Sequence, residues 1–340
     1  MGYDFIALMR KLAPDLIGEM ARRALILERI SAMQPVGRRQ LAVKLNITER
    51  EIRNTSSLLK DMGYIELSPS GMTLTPKAEE ILDTARRFSR EMSGLTEMEN
   101  LLASKLPADR VVIAPGNADE DPQVIADVGR LCAVRLRGML QNGNTLAVTG
   151  GRTMAAVAKG MQSPNPLNIM VVPARGGLGG SVETQANTLA EEIAGRLGGH
   201  YRLIHLPDHL DNEALREMLK LPEVCEAMEF LNRADIVLHG IGKAEDSVRL
   251  RGMSHTKRAI LGNGNARGEC FGSFFDIEGK CLFEASGIVF DPAKVKPSCR
   301  FVAAAAGESK AEAIISVLRN RRRALLVTDQ GAAERILALI

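Results

Sequence analysis

Short apolar runs alternate with amphipathic helical stretches along the chain from residue 108 onward. The apolar runs lie at 110–114, 145–149, 168–173, 201–206, 235–240, 301–305 and 324–328. The clearest helical stretches lie between them, at 124–140, 153–161, 184–197, 214–219, 224–232 and 310–318. Near-continuous apolar runs are typical of strands that are buried on both faces. The pattern predicts a doubly wound, mostly parallel α/β sheet with helices on both faces, and hairpins inserted around 269–289.

A different module precedes this sheet, over residues 37–74. Its first helix has an apolar face made by Leu41, Ala42 and Leu45, and Asn46 ends it. The second helix begins at a capping box, in which Thr48 and Glu51 exchange hydrogen bonds between side chain and backbone. Residues 65–67 and 72–74 read as two strands around a Ser-Pro-Ser-Gly turn. The order predicts a winged helix-turn-helix.

The second helix of this module has one face for the core and one suited to DNA. The expected core residues are Ile52, Thr55, Leu59 and Met62. Arginine matches guanine edges, asparagine matches adenine edges, and serine and lysine match phosphates. The predicted DNA-binding residues are Arg39, Arg50, Arg53, Asn54, Ser57 and Lys60. An ordinary amphipathic helix with a solvated face is the alternative, which the cap and the hairpin disfavour.

The net charge of the chain is concentrated in the same region. The whole chain carries a formal net charge of +3. Residues 1–95 hold 15 Lys and Arg against 12 Asp and Glu, which accounts for the whole excess. A local excess of cations suits attraction to phosphates, whereas the neutral remainder argues against a second nucleic-acid surface.

The length of 340 residues and a hydrophobic content of 45% suit two cores. We expect a winged-helix domain over 1–90, a linker helix over 91–107 and a ligand-binding and oligomerisation domain over 108–340. The linker carries an apolar stripe that either packs on its own domain or pairs protomers: Leu95, Met98, Leu101, Leu102 and Leu106.

Composition also bears on location. The apolar runs are far shorter than a membrane span, and the start of the chain lacks the order of a secretion signal. The five cysteines, at 132, 225, 270, 281 and 299, form no CxxC pair. We therefore expect a cytoplasmic protein with reduced thiols and no membrane partner.

Three glycine-containing loops follow predicted strands, where ligands bind in a sheet of this kind. In the first loop, Gly150 and Gly151 allow close approach of a phosphate, and Arg152 and Thr153 at the helix start can bind it. Alternatively, the two glycines only form the turn between the strand and the helix. In the second, Arg175 stands before Gly176 as an anion clamp. In the third, Lys310 supplies another cation. Together these loops predict a phosphorylated ligand.

Two further features are less specific. Arg249 and Arg251 follow another glycine turn and either hold a second phosphate or form a solvated surface. His200, His205 and His209 match no metal-ligand spacing, and nucleophile-elbow and nucleotide-binding motifs are missing. We expect no catalytic residue, no metal and no cofactor.

With the winged helix followed by the loops at 150–153, 174–177 and 306–310, the chain resembles the SorC family of sugar-responsive bacterial regulators. The resemblance covers nearly the whole chain. It implies that the second domain has the fold of glucosamine-6-phosphate deaminase and other sugar-phosphate isomerases. It also implies a homo-oligomer, dimer or tetramer, that represses glycolytic genes at operator DNA until fructose 1,6-bisphosphate binds.

The resemblance assigns roles to single residues. Residues 150–153 and Arg175 match the family's phosphate loop and its arginine, and Glu269 and Lys310 match groups that touch the sugar. Gln185 and Arg251 match the second-phosphate site, with Arg249 as the alternative to Arg251. Ala306 departs from the glycine that family members often carry there. A sugar-phosphate isomerase or deaminase with a DNA-binding head, and a regulator answering an unphosphorylated or singly phosphorylated sugar, remain alternatives.

Overall fold

The structure is a computed structural model that describes residues 12–45, 47–177, 181–206, 212–250, 253, 255–263, 265–285, 290–292, 294–320 and 324–340. The chain divides into two compact units, Met1–Glu97 and Met98–Ile340. Within the described ranges, no helix is both long enough and apolar enough to cross a membrane.

The first unit combines helices with one antiparallel hairpin. In chain order its described elements are α1 (Pro14–Met33), α2 (Arg38–Leu45), α3 (Glu49–Asp61), β1 (Ile65–Ser68), β2 (Gly71–Leu74) and α4 (Pro76–Met92). The hairpin pairs Ile65 with Leu74 and Ser68 with Gly71. The predicted winged helix-turn-helix is confirmed.

Helix α3 begins at the predicted capping box. The Thr48 hydroxyl accepts from the Glu51 amide at 3.2 Å, and the Glu51 carboxylate accepts from the Thr48 amide at 3.0 Å. The inner face of α3 buries Ile52, Thr55, Ser56 and Leu59. The prediction that Met62 belongs to this core is wrong, because α3 ends at Asp61 and the Met62 side chain is 41% exposed at the C-cap.

The second unit is an α/β domain. Helix α5 (Leu95–Lys105) begins before the division between the units. The elements after it are β3 (Ala108–Ala114), α6 (Gln123–Met139), β4 (Thr145–Val148), α7 (Arg152–Gly160), β5 (Met170–Pro173), α8 (Ala186–Leu197), β6 (His200–Tyr201), α9 (Asn212–Met218), α10 (Pro222–Asn232), β7 (Ile236–Gly240), β8 (Gly242–Lys243), α11 (Ala244–Leu250), α12 (His255–Asn263), β9 (Gly268–Cys270), β10 (Ser273–Phe275), β11 (Cys281–Glu284), β12 (Arg300–Ala304), α13 (Ala311–Asn320), β13 (Ala324–Asp329) and α14 (Gln330–Leu339).

Seven strands form one sheet in the order β3-β13-β12-β7-β4-β5-β6, and every pairing in it is parallel. From β4 the chain winds outward through β5 and β6, and from β7 it winds the other way through β12 and β13. The direction therefore reverses between β4 and β7, which makes that point the topological switch of a doubly wound sheet. The predicted α/β fold class is confirmed.

Helices α6 and α7 pack closely on one side of this sheet. A Cβ atom added at Gly129 of α6 would lie 2.5 Å from the backbone carbon of Ala156 in α7. Side chains of both helices join Val148, Leu238 and Val302 of the strands in one buried cluster. The glycine sets the spacing of α6 and α7, and thereby the position of the N-terminus of α7.

Side chains form hydrogen bonds with backbone groups at both edges of the seven-stranded sheet. At one edge, the Glu99 carboxylate of α5 accepts from the Ile113 amide of β3 at 2.7 Å. At the other, β6 covers only His200–Tyr201, although the sequence predicts a strand over 201–206. The Asn187 side chain bonds both the amide and the carbonyl of Ile204, so these groups do not extend the ladder of β6.

The predicted insertion forms a second, antiparallel sheet in the order β11-β10-β9-β8. Its central residue, Phe274, is fully buried. Strand β8 follows β7 directly, so the small sheet stands beside the carboxyl end of β7. Residues 286–289 of the predicted hairpins lie outside the described residues.

Candidate functional site

A cavity of about 230 Å³ lies at the switch point of the large sheet. Residues 149–154 after β4 and residues 240–242 at the carboxyl end of β7 form part of its wall. The small antiparallel sheet contributes Glu269, and α11 contributes Ser247. Ligands of doubly wound sheets bind in this position.

The two glycines after β4 are required by a neighbouring turn. A Cβ atom at Gly150 would lie 2.5 Å from the Thr184 carbonyl oxygen, and Gly151 has a φ of +115° that favours glycine. The Gly151 amide donates to that same carbonyl at 2.9 Å. Gly151 is the N-cap of α7 and provides no side-chain cap, so the first amides of α7 lack intrahelical acceptors beside the cavity. This end of the cavity suits an anion.

Two cations stand near the N-terminus of α7. Arg152 is exposed, whereas Lys310 is partly buried and donates to the Ile241 carbonyl at 3.1 Å. Burial lowers the pKa of Lys310, and repulsion from Arg152 lowers that pKa further. An anion between the two side chains would favour the charged form of Lys310 and so oppose both effects.

The wall of the cavity also holds a buried ion pair. The Arg175 guanidinium lies 3.2 Å from the Glu269 carboxylate, and only 8% and 10% of the two side chains are exposed. Glu269 also accepts from the Gly272 amide at 2.7 Å and from the Ser247 hydroxyl at 3.1 Å. Arg175 is thus partly neutralised, and this wall presents a polar pair suited to hydroxyl groups as well as to an anion.

The third loop differs from the prediction of an anion-binding turn. The Gly307 amide donates to Asp329 at 2.9 Å, and the Ser309 amide donates to Asp119 at 2.7 Å. Carboxylates of this chain therefore already occupy those donors, and the loop offers an anion only the Lys310 ammonium. Burial raises the pKa of Asp329, and the amides of Ala118 and Gly307 oppose that rise.

The structure brings nine of the ten predicted effector residues to this one cavity. They are Gly150, Gly151, Arg152, Thr153, Arg175, Gly176, Gln185, Glu269 and Lys310. Arg251, the tenth, lies outside the described residues. Arg249 has a 77% exposed side chain that lies 3.7 Å from Asp246.

Sequence reasoning missed Thr149 and Ser247. The Thr149 hydroxyl accepts from the Gly240 amide at 3.0 Å and joins the ends of β4 and β7 at the cavity. Ser247 lines the cavity from α11 and donates to Glu269. Its local sequence carries no signal for this role, because only the packing of α11 against β9 brings it there.

The predicted DNA-binding residues all lie on the surface of α2 and α3. Exposed side chains occupy all six positions: Arg39, Arg50, Arg53, Asn54, Ser57 and Lys60. Five of them lie along α3, whose buried face packs into the core of the first unit. The exposed face of α3 is therefore available to a groove of DNA.

Metal chemistry gains no support from the residues that the structure describes. Within them, no group of three or more His, Cys, Asp or Glu side chains can hold a metal ion. The histidine at 209 lies outside the described residues.

Comparison with known proteins agrees with this division of the chain. Residues 20–88 match the family of the CggR N-terminal DNA binding domain, and residues 90–338 match a family of sugar-binding domains. Central glycolytic genes regulators of Priestia megaterium and Bacillus subtilis are 37% and 33% identical to the chain, over 98% of both proteins in each case. A SorC-family regulator structure from Enterococcus faecalis is 34% identical, with a TM-score of 0.67 over 71% of this chain and 99% of that one.

The fold and these matches define a transcriptional regulator that joins a DNA-binding domain to a sugar-binding domain. The chain belongs to the SorC family of transcriptional regulators. Since its relatives are regulators with a DNA-binding domain, it is a regulator rather than an enzyme.

Proposed function

We propose that this regulator represses glycolytic genes by binding operator DNA through α3, and that fructose 1,6-bisphosphate releases it. The names of its two relatives at 37% and 33% identity support the choice of genes. The observation that carries the choice of a phosphorylated ligand is the cavity where the uncapped N-terminus of α7, Arg152 and Lys310 meet, and the resemblance to the SorC family supplies fructose 1,6-bisphosphate. Because DNA is its target, we place the protein in the cytoplasm.

The cavity fits a sugar that carries phosphate. The amides at the start of α7 and the two cations bind one phosphate, and the Arg175–Glu269 pair bonds hydroxyl groups of the sugar. Gln185, with Arg251 or Arg249, holds the second phosphate.

Release requires that the ligand prefer one state of the protein. We propose that the regulator is a homo-oligomer, a dimer or tetramer, whose paired winged helices match two half-sites of the operator. The ligand loosens this match only if it binds the weak-DNA state more tightly, since equal affinity for both states shifts nothing.

Substitution in the cavity tests the assignment. Arg175→Ala and, separately, Lys310→Met are expected to leave operator affinity intact but to abolish release by fructose 1,6-bisphosphate in a gel-shift titration. Lys310→Met is included because Arg175→Ala leaves the Glu269 carboxylate buried without its cation. Arg202→Ala removes an exposed arginine from the same domain and is expected to behave as wild type. Unchanged release in both cavity variants would overturn the site.

Calorimetry tests the identity of the ligand. Fructose 1,6-bisphosphate is expected to bind more tightly than fructose 6-phosphate or glucose 6-phosphate, and unphosphorylated fructose most weakly. Equal affinity for the unphosphorylated sugar would show that the cations of the cavity do not select phosphate.

A further inference from the structure

An acidic side chain stands among the arginines on the DNA-binding side of the first unit. Glu49 is the first residue of α3. Its carboxylate lies 3.4 Å from Arg39 of α2 and 3.6 Å from Arg53 one turn along α3. The arginine side chains are 90% and 62% exposed. A carboxylate in this position is repelled by DNA phosphates, and a hydrogen-bond donor in the groove would offset that cost.

The capping box at the start of α3 does not involve Glu49. The capping box is formed by Thr48 and Glu51, and Glu51 also lies 3.5 Å from Arg22 of α1. The backbone hydrogen bond from Thr48 is the main cause of the lowered pKa of Glu51. Of the two acidic residues in the first turn, Glu51 therefore forms the cap, whereas Glu49 contributes to the helix start only through the interaction of its charge with the helix dipole.

The position of Glu49 suits contact with a base. In helix-turn-helix proteins the N-terminal residues of the second helix contact base edges. Glu49 and Arg53 are four residues apart, so they share one face of α3. A carboxylate is the group that accepts from the N4 amino group of cytosine in the major groove.

We propose that Glu49 reads a cytosine of the operator by accepting a hydrogen bond from its N4 amino group. Arg39 and Arg53 orient the carboxylate and offset its repulsion from the phosphates. Because exposed ion pairs are weak, both arginines remain able to bind DNA. The inference rests on the proposed binding of DNA through α3.

Selection from a library of random DNA duplexes tests this role with the full chain. The sequences enriched by wild type are expected to hold a cytosine that Glu49→Ala no longer prefers. At that base pair, wild type should discriminate against the other bases by about ten-fold or more, and Glu49→Ala should not. Glu80→Ala removes one exposed acidic charge from α4 instead and should keep the wild-type preference.

Three other outcomes would count against the proposal. Tighter binding of Glu49→Ala to every sequence, with an unchanged base preference, would mean that Glu49 only repels DNA. Weaker binding to every sequence with that same preference would mean that Glu49 only positions Arg39 and Arg53. Full operator binding by an Arg53→Ala, Asn54→Ala double variant would instead show that α3 is not the DNA-reading helix, which removes the proposed function as well.

Discussion

At the scale of single residues, burial and neighbouring charges determine the charge state and the partners of the side chains in the cavity. Burial is the main cost of the charge on Lys310, and repulsion from Arg152 adds to it. Arg175 has a carboxylate partner in Glu269 instead. The residue types are visible in the sequence, but their protonation and pairing follow from which chain segments meet.

Ligand binding is expected to draw a proton onto Lys310. The pKa of Lys310 is lowered from the ordinary value of 10.5, so at a pH near the lowered pKa part of the free protein holds a neutral amine. A bound phosphate favours the ammonium and raises that pKa. Calorimetry of fructose 1,6-bisphosphate in two buffers of different ionisation enthalpy should therefore show proton uptake in this range. Lys310→Arg should abolish the uptake, since arginine stays protonated.

The lowered pKa of Lys310 also makes the free energy of unfolding depend on pH. Between the lowered pKa and 10.5 the unfolded chain binds more protons at this residue than the folded protein. The contribution of Lys310 to the free energy of unfolding therefore rises with pH across that range.

For the calorimetry of ligand binding, identical binding heats in both buffers at every pH would contradict the proton uptake by Lys310.

At the scale of elements, the spacing of α6 and α7 fixes where the N-terminus of α7 stands. Gly129 permits the contact, since its Cβ would lie 2.5 Å from the backbone of Ala156. The sequence predicts both helices, and the glycine in α6 appears there only as a weak helix former. The glycine is needed for a contact with α7, more than twenty residues away in the chain, and no local sequence pattern indicates that contact.

Two alanine substitutions in α6 are expected to differ in their effect on stability. Gly129→Ala should destabilise the second unit by about 1–3 kcal/mol, because the two helices must move apart. Gly138→Ala in the same helix meets nothing within 4 Å and should be neutral or stabilising by up to about 1 kcal/mol. Thermal unfolding of the two variants measures the difference, and equal melting temperatures would show that α6 and α7 separate at no cost.

At the scale of the whole molecule, the proposed function requires coupling between the operator and the ligand. Linkage makes that coupling reciprocal. The factor by which fructose 1,6-bisphosphate lowers the affinity for operator DNA is expected to equal the factor by which saturating operator DNA lowers the affinity for fructose 1,6-bisphosphate. Fluorescence anisotropy of labelled operator and calorimetry of the ligand measure the two factors. Unequal factors would mean that the ligand releases DNA by another route, such as a second binding event.

Local sequence features predict the fold classes of the two domains, because helix caps, turn residues and apolar periodicity act between neighbours in the chain. They also indicate the cations of the cavity, since each follows a strand in a loop with glycine. Only the folding of the chain pairs Glu269 with Arg175, brings Ser247 to that pair, and places Asp119 and Asp329 on the amides of the third loop. These contacts join residues far apart in the chain, and their formation depends on the sheet order, which spacing along the sequence does not specify.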